Sequence, residues 1–66
     1  MTNTDRLNQI INESGYKRTF IAKALGISRQ QLAAKIDNKY EFTAKEISAL
    51  SAMLQIKNKD EIFFVQ

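Results

Sequence analysis

The chain has 66 residues, no Cys, no His and a formal net charge of +3. A chain of this length forms one small domain, which we expect over residues 1–66, with no disulfide and without the usual zinc ligands to support its core. No apolar run approaches the roughly 20 residues of a membrane span, and the start MTNTDRLNQ does not resemble a signal peptide. These features predict a soluble intracellular protein with no cofactor and no metal.

The positive charge is concentrated in the middle third of the chain. Residues 16–39 carry six Lys or Arg and one Asp, a net +5, whereas residues 1–15 and 40–66 each carry a net −1. A localised basic surface is what a polyanion-binding protein needs, because displacing condensed counterions from phosphates favours binding. The alternative is an ordinary solvated face.

Two helices are predicted in the first 26 residues. Asn3 or Thr4 can cap the first helix, and Gly15 ends it because glycine tolerates a positive φ. Its apolar residues recur at helical spacing: Leu7, Ile10 and Ile11. Gly26 ends the second helix, whose predicted inward stripe is Phe20, Ile21, Ala24 and Leu25.

A third and a fourth helix follow. Ser28 is a good N-cap for the third helix, where Leu32 and Ile36 are the only large apolar residues and leave most of the surface facing outward. The segment 37–42 is predicted to be a polar loop anchored by its last residue, Phe42. Residues 43–46 form a Thr-x-x-Glu capping box that opens the fourth helix. The predicted core residues of this helix are Ile47, Leu50, Met53 and Leu54.

The last ten residues allow more than one interpretation. Residues 58–61 repeat the capping pattern and predict a short fifth helix. The apolar run at 62–65 is instead compatible with an edge strand. At least Ile62 and Phe63 are expected to close the core, and the apolar end is also compatible with self-association.

The junction of the second and third helices has a recognisable pattern. Ala22 is small enough for a close helix crossing, and Gly26 lets the chain turn within a few residues. Ile27 can fill the angle between the helices, and Leu32 can pack back onto the second helix. This pattern is typical of a helix-turn-helix, in which two helices cross steeply over a short turn.

With these residues, the segment FIAKALGISRQQLAAKIDNKYEF and its continuation TAKEISALSAML resemble the phage-repressor-like Cro/C1 (XRE) family of helix-turn-helix proteins. The resemblance covers residues 16–64. It implies an all-α fold, a compact five-helix bundle of the lambda-repressor-like DNA-binding domain type. One position departs from the pattern: Lys35 stands where many members have an apolar residue, and the apolar residue falls at Ile36.

The resemblance implies that the third helix, at about residues 28–37, enters the DNA major groove with its first residues toward the bases. The implied base contacts are Ser28, Arg29, Gln30, Gln31, Ala33 and Ala34. The helical period, with Leu32 and Ile36 inward, independently places Gln30 and the two alanines outside. Arg can bond guanine, Gln can bond adenine, and an alanine methyl can contact thymine. Arg29 could alternatively form an ion pair with Glu41 or Asp37, and it would then contact no base.

Contacts to the DNA backbone are expected on either side of that helix. Arg18 and Thr19 are implied by the resemblance, and a helix N-terminus suits an anion in any family. Lys39 and Tyr40 follow the third helix, where a loop can contact the backbone, although Tyr40 could equally cover the edge of the core. Lys35 is also placed among the phosphate contacts, with a base contact or a solvent-facing position as the alternatives.

The predicted function is therefore sequence-specific binding of double-stranded DNA. The resemblance implies a Cro-like repressor of a phage or prophage in the bacterial cytoplasm, associated with the nucleoid. The expected partners are a palindromic operator and a second copy of the chain, at least on DNA, and no membrane. The main alternative is a helical protein-interaction module, an adaptor or antirepressor that keeps the fold without reading DNA. RNA binding has only Tyr16 and Tyr40 as candidate exposed aromatics. No catalytic constellation is present, so an enzyme is not expected.

Overall fold

The computed structural model describes residues 1–65 and contains five α-helices in that range. They are α1 (Thr4–Ser14), α2 (Arg18–Leu25), α3 (Arg29–Ile36), α4 (Ala44–Leu54) and α5 (Lys59–Phe63). None of the described residues is in a strand, so the prediction of an all-α chain is confirmed. Within the same range, no helix is both long and apolar enough to cross a bilayer.

All five helices bury residues in one hydrophobic core, within a body whose principal extents are 27 × 23 × 20 Å. Each helix contributes two apolar residues to this core. Phe42 adds its side chain from the loop before α4, and its ring packs edge to face against the ring of Phe63. The core residues are Leu7, Ile11, Ile21, Ala22, Leu32, Ile36, Phe42, Ile47, Leu50, Ile62 and Phe63. The prediction that Phe42 anchors its loop is therefore confirmed.

The ends of α1 and α2 are set by local chemistry that the sequence predicts well. Of the two candidate caps, Asn3 is the one whose side chain accepts a hydrogen bond from the Arg6 backbone N–H, at 3.1 Å. Gly15 and Gly26 end the two helices with φ of +81° and +75°, the left-handed region that glycine enters without a Cβ penalty.

The rotation of α2 differs from the prediction. Phe20 and Ala24 were predicted to face inward, but both are exposed, and Phe20 is 53 % exposed. The buried residues are Ile21 and Ala22, with Leu25 half-buried. Ala22 is 2 % exposed and takes a place in the core, whereas the larger Phe20 lies on the solvent side of the helix.

The connection between α2 and α3 is short. Gly26 and Ile27 both return their backbone N–H groups to the last turn of α2, where the Ala22 carbonyl accepts from Ile27 at 3.0 Å. Ile27 packs against the core, and Leu32 and Ile36 are 1 % and 3 % exposed. The prediction that these two residues hold α3 to the body is confirmed, and the rest of the helix faces outward or sideways.

Two helix caps were predicted in the second half of the chain, of which one is confirmed and the other is not formed. Thr43 and Glu46 form the predicted capping box at the start of α4. Asn58 stands at the N-cap position of α5 but makes no side-chain capping bond, so the predicted second cap is not formed. Burial of Ile62 and Phe63 holds this five-residue helix instead.

The edge-strand alternative for residues 62–65 is also wrong, because Ile62 and Phe63 belong to α5. The segment nevertheless pairs through its backbone with the start of the chain. The Ile62 carbonyl accepts from the Asn3 N–H at 2.7 Å, and the Val65 N–H donates to the Met1 carbonyl at 2.9 Å. Phe64 remains 56 % exposed.

Candidate nucleic-acid interface

The first turn of α3 is closed by a reciprocal capping box. The Ser28 hydroxyl accepts the Gln31 backbone N–H at 3.0 Å, and the Gln31 Oε1 accepts the Ser28 N–H at 2.8 Å. These bonds satisfy two backbone donors that a helix start leaves unpaired. They also fix the Gln31 side chain and leave its amide NH2 group available as a donor.

The outward flank of α3 carries most of the predicted base contacts. Ser28, Arg29, Gln30, Gln31 and Ala33 are exposed, and Ala34 is half-buried. Within residues 1–65 the ion pair Lys35–Glu46 is the only one. Arg29 therefore makes neither of its alternative pairings, with Glu41 or with Asp37, and its charge is free to meet a ligand.

Arg29 and the start of α2 share one open surface pocket. Its lining consists of three cations, a hydroxyl side chain and an aromatic ring: Tyr16, Lys17, Arg18, Thr19 and Arg29. Two predicted phosphate contacts and one predicted base contact are thus neighbours in space, although ten residues separate Thr19 from Arg29 in the chain. Cations clustered on one part of the surface attract a polyanion more strongly than the same charges dispersed.

The Arg18 side chain is oriented by α1. Its two terminal nitrogens donate to the Asn8 Oδ1 at 2.9 Å and to the Asn12 Oδ1 at 3.1 Å. Both acceptors are neutral amides, so these bonds place no negative charge beside the guanidinium. Its five N–H groups leave donors beyond these two bonds. Asn8 and Asn12 are one turn apart on α1, and this spacing on a polar face is the one signal of the contact that the sequence contains.

Lys35, one of the predicted phosphate contacts, forms an ion pair with Glu46 in the folded chain. Its Nζ donates to both carboxylate oxygens of Glu46, at 2.6 and 2.7 Å, and the two side chains are only 15 % and 11 % exposed. Burial of the Glu46 carboxyl group raises its pKa, but hydrogen bonds from Lys35 and from the Thr43 backbone outweigh this, so the pKa lies below its ordinary value of 4.5. Lys35 thereby ties α3 to the first turn of α4.

Lys39 and Tyr40 lie in the loop after α3 and are both exposed, Tyr40 at 67 %. Tyr40 therefore does not cover the core, which was the alternative to a backbone contact. The loop starts from a bond between the Lys39 N–H and the Ala34 carbonyl at 2.9 Å. An eight-residue helix is about 12 Å long, which is about the width of the DNA major groove. Cations lie beyond both ends of α3, with Arg18 on one side and Lys39 on the other.

Asn38 fixes the loop, a role that the sequence alone did not indicate. It has a φ of +66°, and its side chain exchanges two hydrogen bonds with the backbone of Thr2, at 2.7 and 2.9 Å. The neighbouring Thr4 hydroxyl donates to the Ile36 carbonyl at 2.6 Å. These bonds hold the C-terminal end of α3 against the start of the chain.

The rest of the described surface contains fewer candidate functional residues. A cavity of about 460 Å³ lies between α1 and the α4–α5 turn and contains none of the predicted site residues. Among residues 1–65 there is no group of three or more His, Cys, Asp or Glu placed to hold a metal ion. In the comparisons with known proteins, no family model, no curated protein and no solved structure matches the chain.

Proposed function

We propose that the chain is a sequence-specific double-stranded DNA-binding regulator of transcription, a Cro-like repressor of a phage or prophage. In this proposal the five helices are a bundle of the lambda-repressor-like type, α2 and α3 are its helix-turn-helix, and α3 reads the major groove. The bacterial cytoplasm, at the nucleoid, is its place of action. The proposal rests on the residue pattern of the chain together with the surface that α2 and α3 present.

One observation carries the proposal furthest: Arg29, which has no ion-pair partner within residues 1–65, lies at the start of α3 in the same pocket as Lys17 and Arg18. A groove-binding helix needs base-reading side chains at its exposed end and phosphate-binding cations beside them. Arg29 and Gln30 supply the first, and Arg18 and Thr19 supply the second. Lys39 and Tyr40 are proposed to contact the backbone beyond the far end of α3. Lys35 is left out of this set because Glu46 occupies its ammonium group.

The protein-interaction alternative calls for an apolar patch on the outward flank of α3. That flank instead carries Arg29, Gln30 and Gln31, all exposed. Charged and amide side chains are costly to desolvate in a protein interface unless each finds a partner. They are well matched to base edges, which offer paired donors and acceptors.

Selection from a random duplex pool at low ionic strength tests the proposed function. A pool of single-stranded RNA, treated in parallel, serves as the control for unspecific attraction to phosphate. We expect enrichment of a short palindromic duplex motif and none in the RNA pool. A duplex pool that stays random after repeated rounds would contradict sequence-specific reading.

We further propose that two copies bind one operator, with half-sites about one helical turn, roughly 34 Å, apart. A single module of this size has a small interface, and doubling it multiplies the affinity. Sedimentation of the complex with the selected duplex measures the stoichiometry. Two chains per duplex are expected, and a complex that stops at one chain would contradict the dimer.

A further inference from the structure

Two aromatic rings are stacked on the surface at the corner between α1 and α2. The ring centroids of Tyr16 and Phe20 are 5.5 Å apart, with 21° between the ring planes. The two side chains are 43 % and 53 % exposed, and neither belongs to the core. The stack covers one face of each ring and leaves the remaining surface of both side chains open to solvent, where a ligand can reach it.

Tyr16 is also part of the basic pocket. It lines this pocket together with Lys17, Arg18, Thr19 and Arg29. Its backbone N–H donates to the Ser14 hydroxyl at 3.1 Å, which fixes the main chain at this corner. Its own hydroxyl has no hydrogen-bond partner among residues 1–65 and can donate one bond. A pocket with cations and a free hydroxyl donor is matched by an oxyanion such as a backbone phosphate.

We propose that Tyr16 is an additional contact to the DNA backbone, with its hydroxyl donating to a phosphate that the neighbouring cations attract. Phe20 is a positioning residue, because its ring holds the Tyr16 ring against the pocket. This inference rests on the proposed function and adds to it a neutral donor beside the charged ones. It also accounts for an exposed phenylalanine on α2, which the packing of the core does not require.

Two substitutions separate the hydroxyl from the ring. Tyr16→Phe keeps the stack and removes only the donor, and Phe20→Leu keeps the donor and removes the stacking partner. Fluorescence anisotropy with the selected duplex, at several salt concentrations, gives the affinity and its salt dependence. Thermal melting of each variant shows that the fold is retained, since both side chains are largely outside the core.

Tyr16→Phe is expected to weaken duplex binding about tenfold, the effect of losing one hydrogen bond to a charged group. The slope of log affinity against log salt is expected to stay unchanged, because a neutral hydroxyl displaces no counterion. Phe20→Leu is expected to weaken binding about threefold through loss of the aromatic stack, again with an unchanged slope. Arg18→Gln is the contrasting variant, because removing a cation lowers the slope.

Each other outcome overturns the inference in a distinct way. If the parent chain binds duplex and Tyr16→Phe binds equally well, the hydroxyl makes no contact, and the proposed function stands without it. A loss of affinity only in Phe20→Leu would indicate an apolar contact in place of the hydrogen bond. If the parent chain binds no duplex at low ionic strength, the proposed function fails and the inference fails with it.

Discussion

At Arg29, the effect of a substitution on DNA sequence recognition can be separated from its effect on the stability of the fold. Its side chain is exposed at the first position of α3 and has no ion-pair partner among the described residues. Arg29→Ala is expected to remove about 1–3 kcal/mol of discrimination between the selected duplex and a variant duplex. Competition gel-shift assays measure this discrimination, and a circular-dichroism melt is expected to be unchanged.

A matched substitution at the same position, Arg29→Lys, keeps the charge but loses the planar two-donor geometry. It is expected to retain affinity and salt dependence while losing most of the discrimination. If the lysine variant discriminates as well as the parent chain, Arg29 acts through its charge alone and reads no base.

Lys39 is predicted to act through charge. Lys39→Ala is expected to weaken binding evenly across duplex sequences and to reduce the salt slope by about one ion. Lys59, an exposed lysine on α5, provides the control, because it lies outside the proposed interface. Titrations at four or five salt concentrations give both slopes. Equal slopes for the two variants would remove Lys39 from the set of phosphate contacts.

Among residues 1–65, Asn38 and Gln55 are the two non-glycine residues with a positive φ, and replacing each by glycine is expected to change stability in opposite directions. Gln55 ends α4 with a φ of +56°, and relief of this strain in Gln55→Gly is expected to stabilise the fold by about 1 kcal/mol. Asn38→Gly relieves strain at +66° but removes the bonds to Thr2, and is expected to destabilise it by about 1–3 kcal/mol. Urea unfolding midpoints measure both changes. A lower midpoint for Gln55→Gly, or a higher midpoint for Asn38→Gly, would contradict the prediction for that residue.

At the scale of elements, the ion pair between α3 and α4 predicts a pH dependence of stability. The pKa of Glu46 is lower in the folded chain than its ordinary value of 4.5, so the folded state favours the charged form. This contribution is present above about pH 4.5 and is lost as the pH falls through the lower folded pKa. Melting temperatures from pH 7 to pH 3 measure the loss.

Glu46→Gln is the appropriate variant, because glutamine can keep the capping bond to the Thr43 N–H while it removes the charge. The variant is expected to be less stable than the parent chain at pH 7, and the difference is expected to shrink toward pH 3. Glu41→Gln, in the exposed loop, is the control. A constant difference for Glu46→Gln over the whole range would show that the ion pair does not contribute to the pH dependence.

Element boundaries were predictable where local chemistry sets them. The caps at Ser28 and Thr43 and the glycines that end α1 and α2 act within one turn of the chain, so the sequence contains the whole cause. The rotation of α2 depends instead on packing against the other helices, which buries Ile21 and Ala22 and leaves Phe20 exposed. Periodicity alone favoured the bulky Phe20 for the core, and tertiary packing selected the smaller residue.

In the whole molecule, the sequence predicts which flank of α3 faces outward, but it does not predict the hydrogen bonds that connect the candidate site to other helices. The outward flank of α3 follows from the positions of Leu32 and Ile36, which the sequence displays directly. The bonds from Arg18 to α1 and from Lys35 to α4 join residues 6 to 11 positions apart on different helices. Such pairs become neighbours only when the helices pack, so one sequence read alone does not specify them.

The central claim is that the surface formed by α3 and the start of α2 meets duplex DNA. Titration of the isotope-labelled chain with the selected duplex, followed by amide chemical shifts, tests it most directly. We expect the largest shifts at residues 16–19, 28–34 and 39–40. Shifts that concentrate in the cavity between α1 and the α4–α5 turn, or a spectrum that the duplex leaves unchanged, would contradict it.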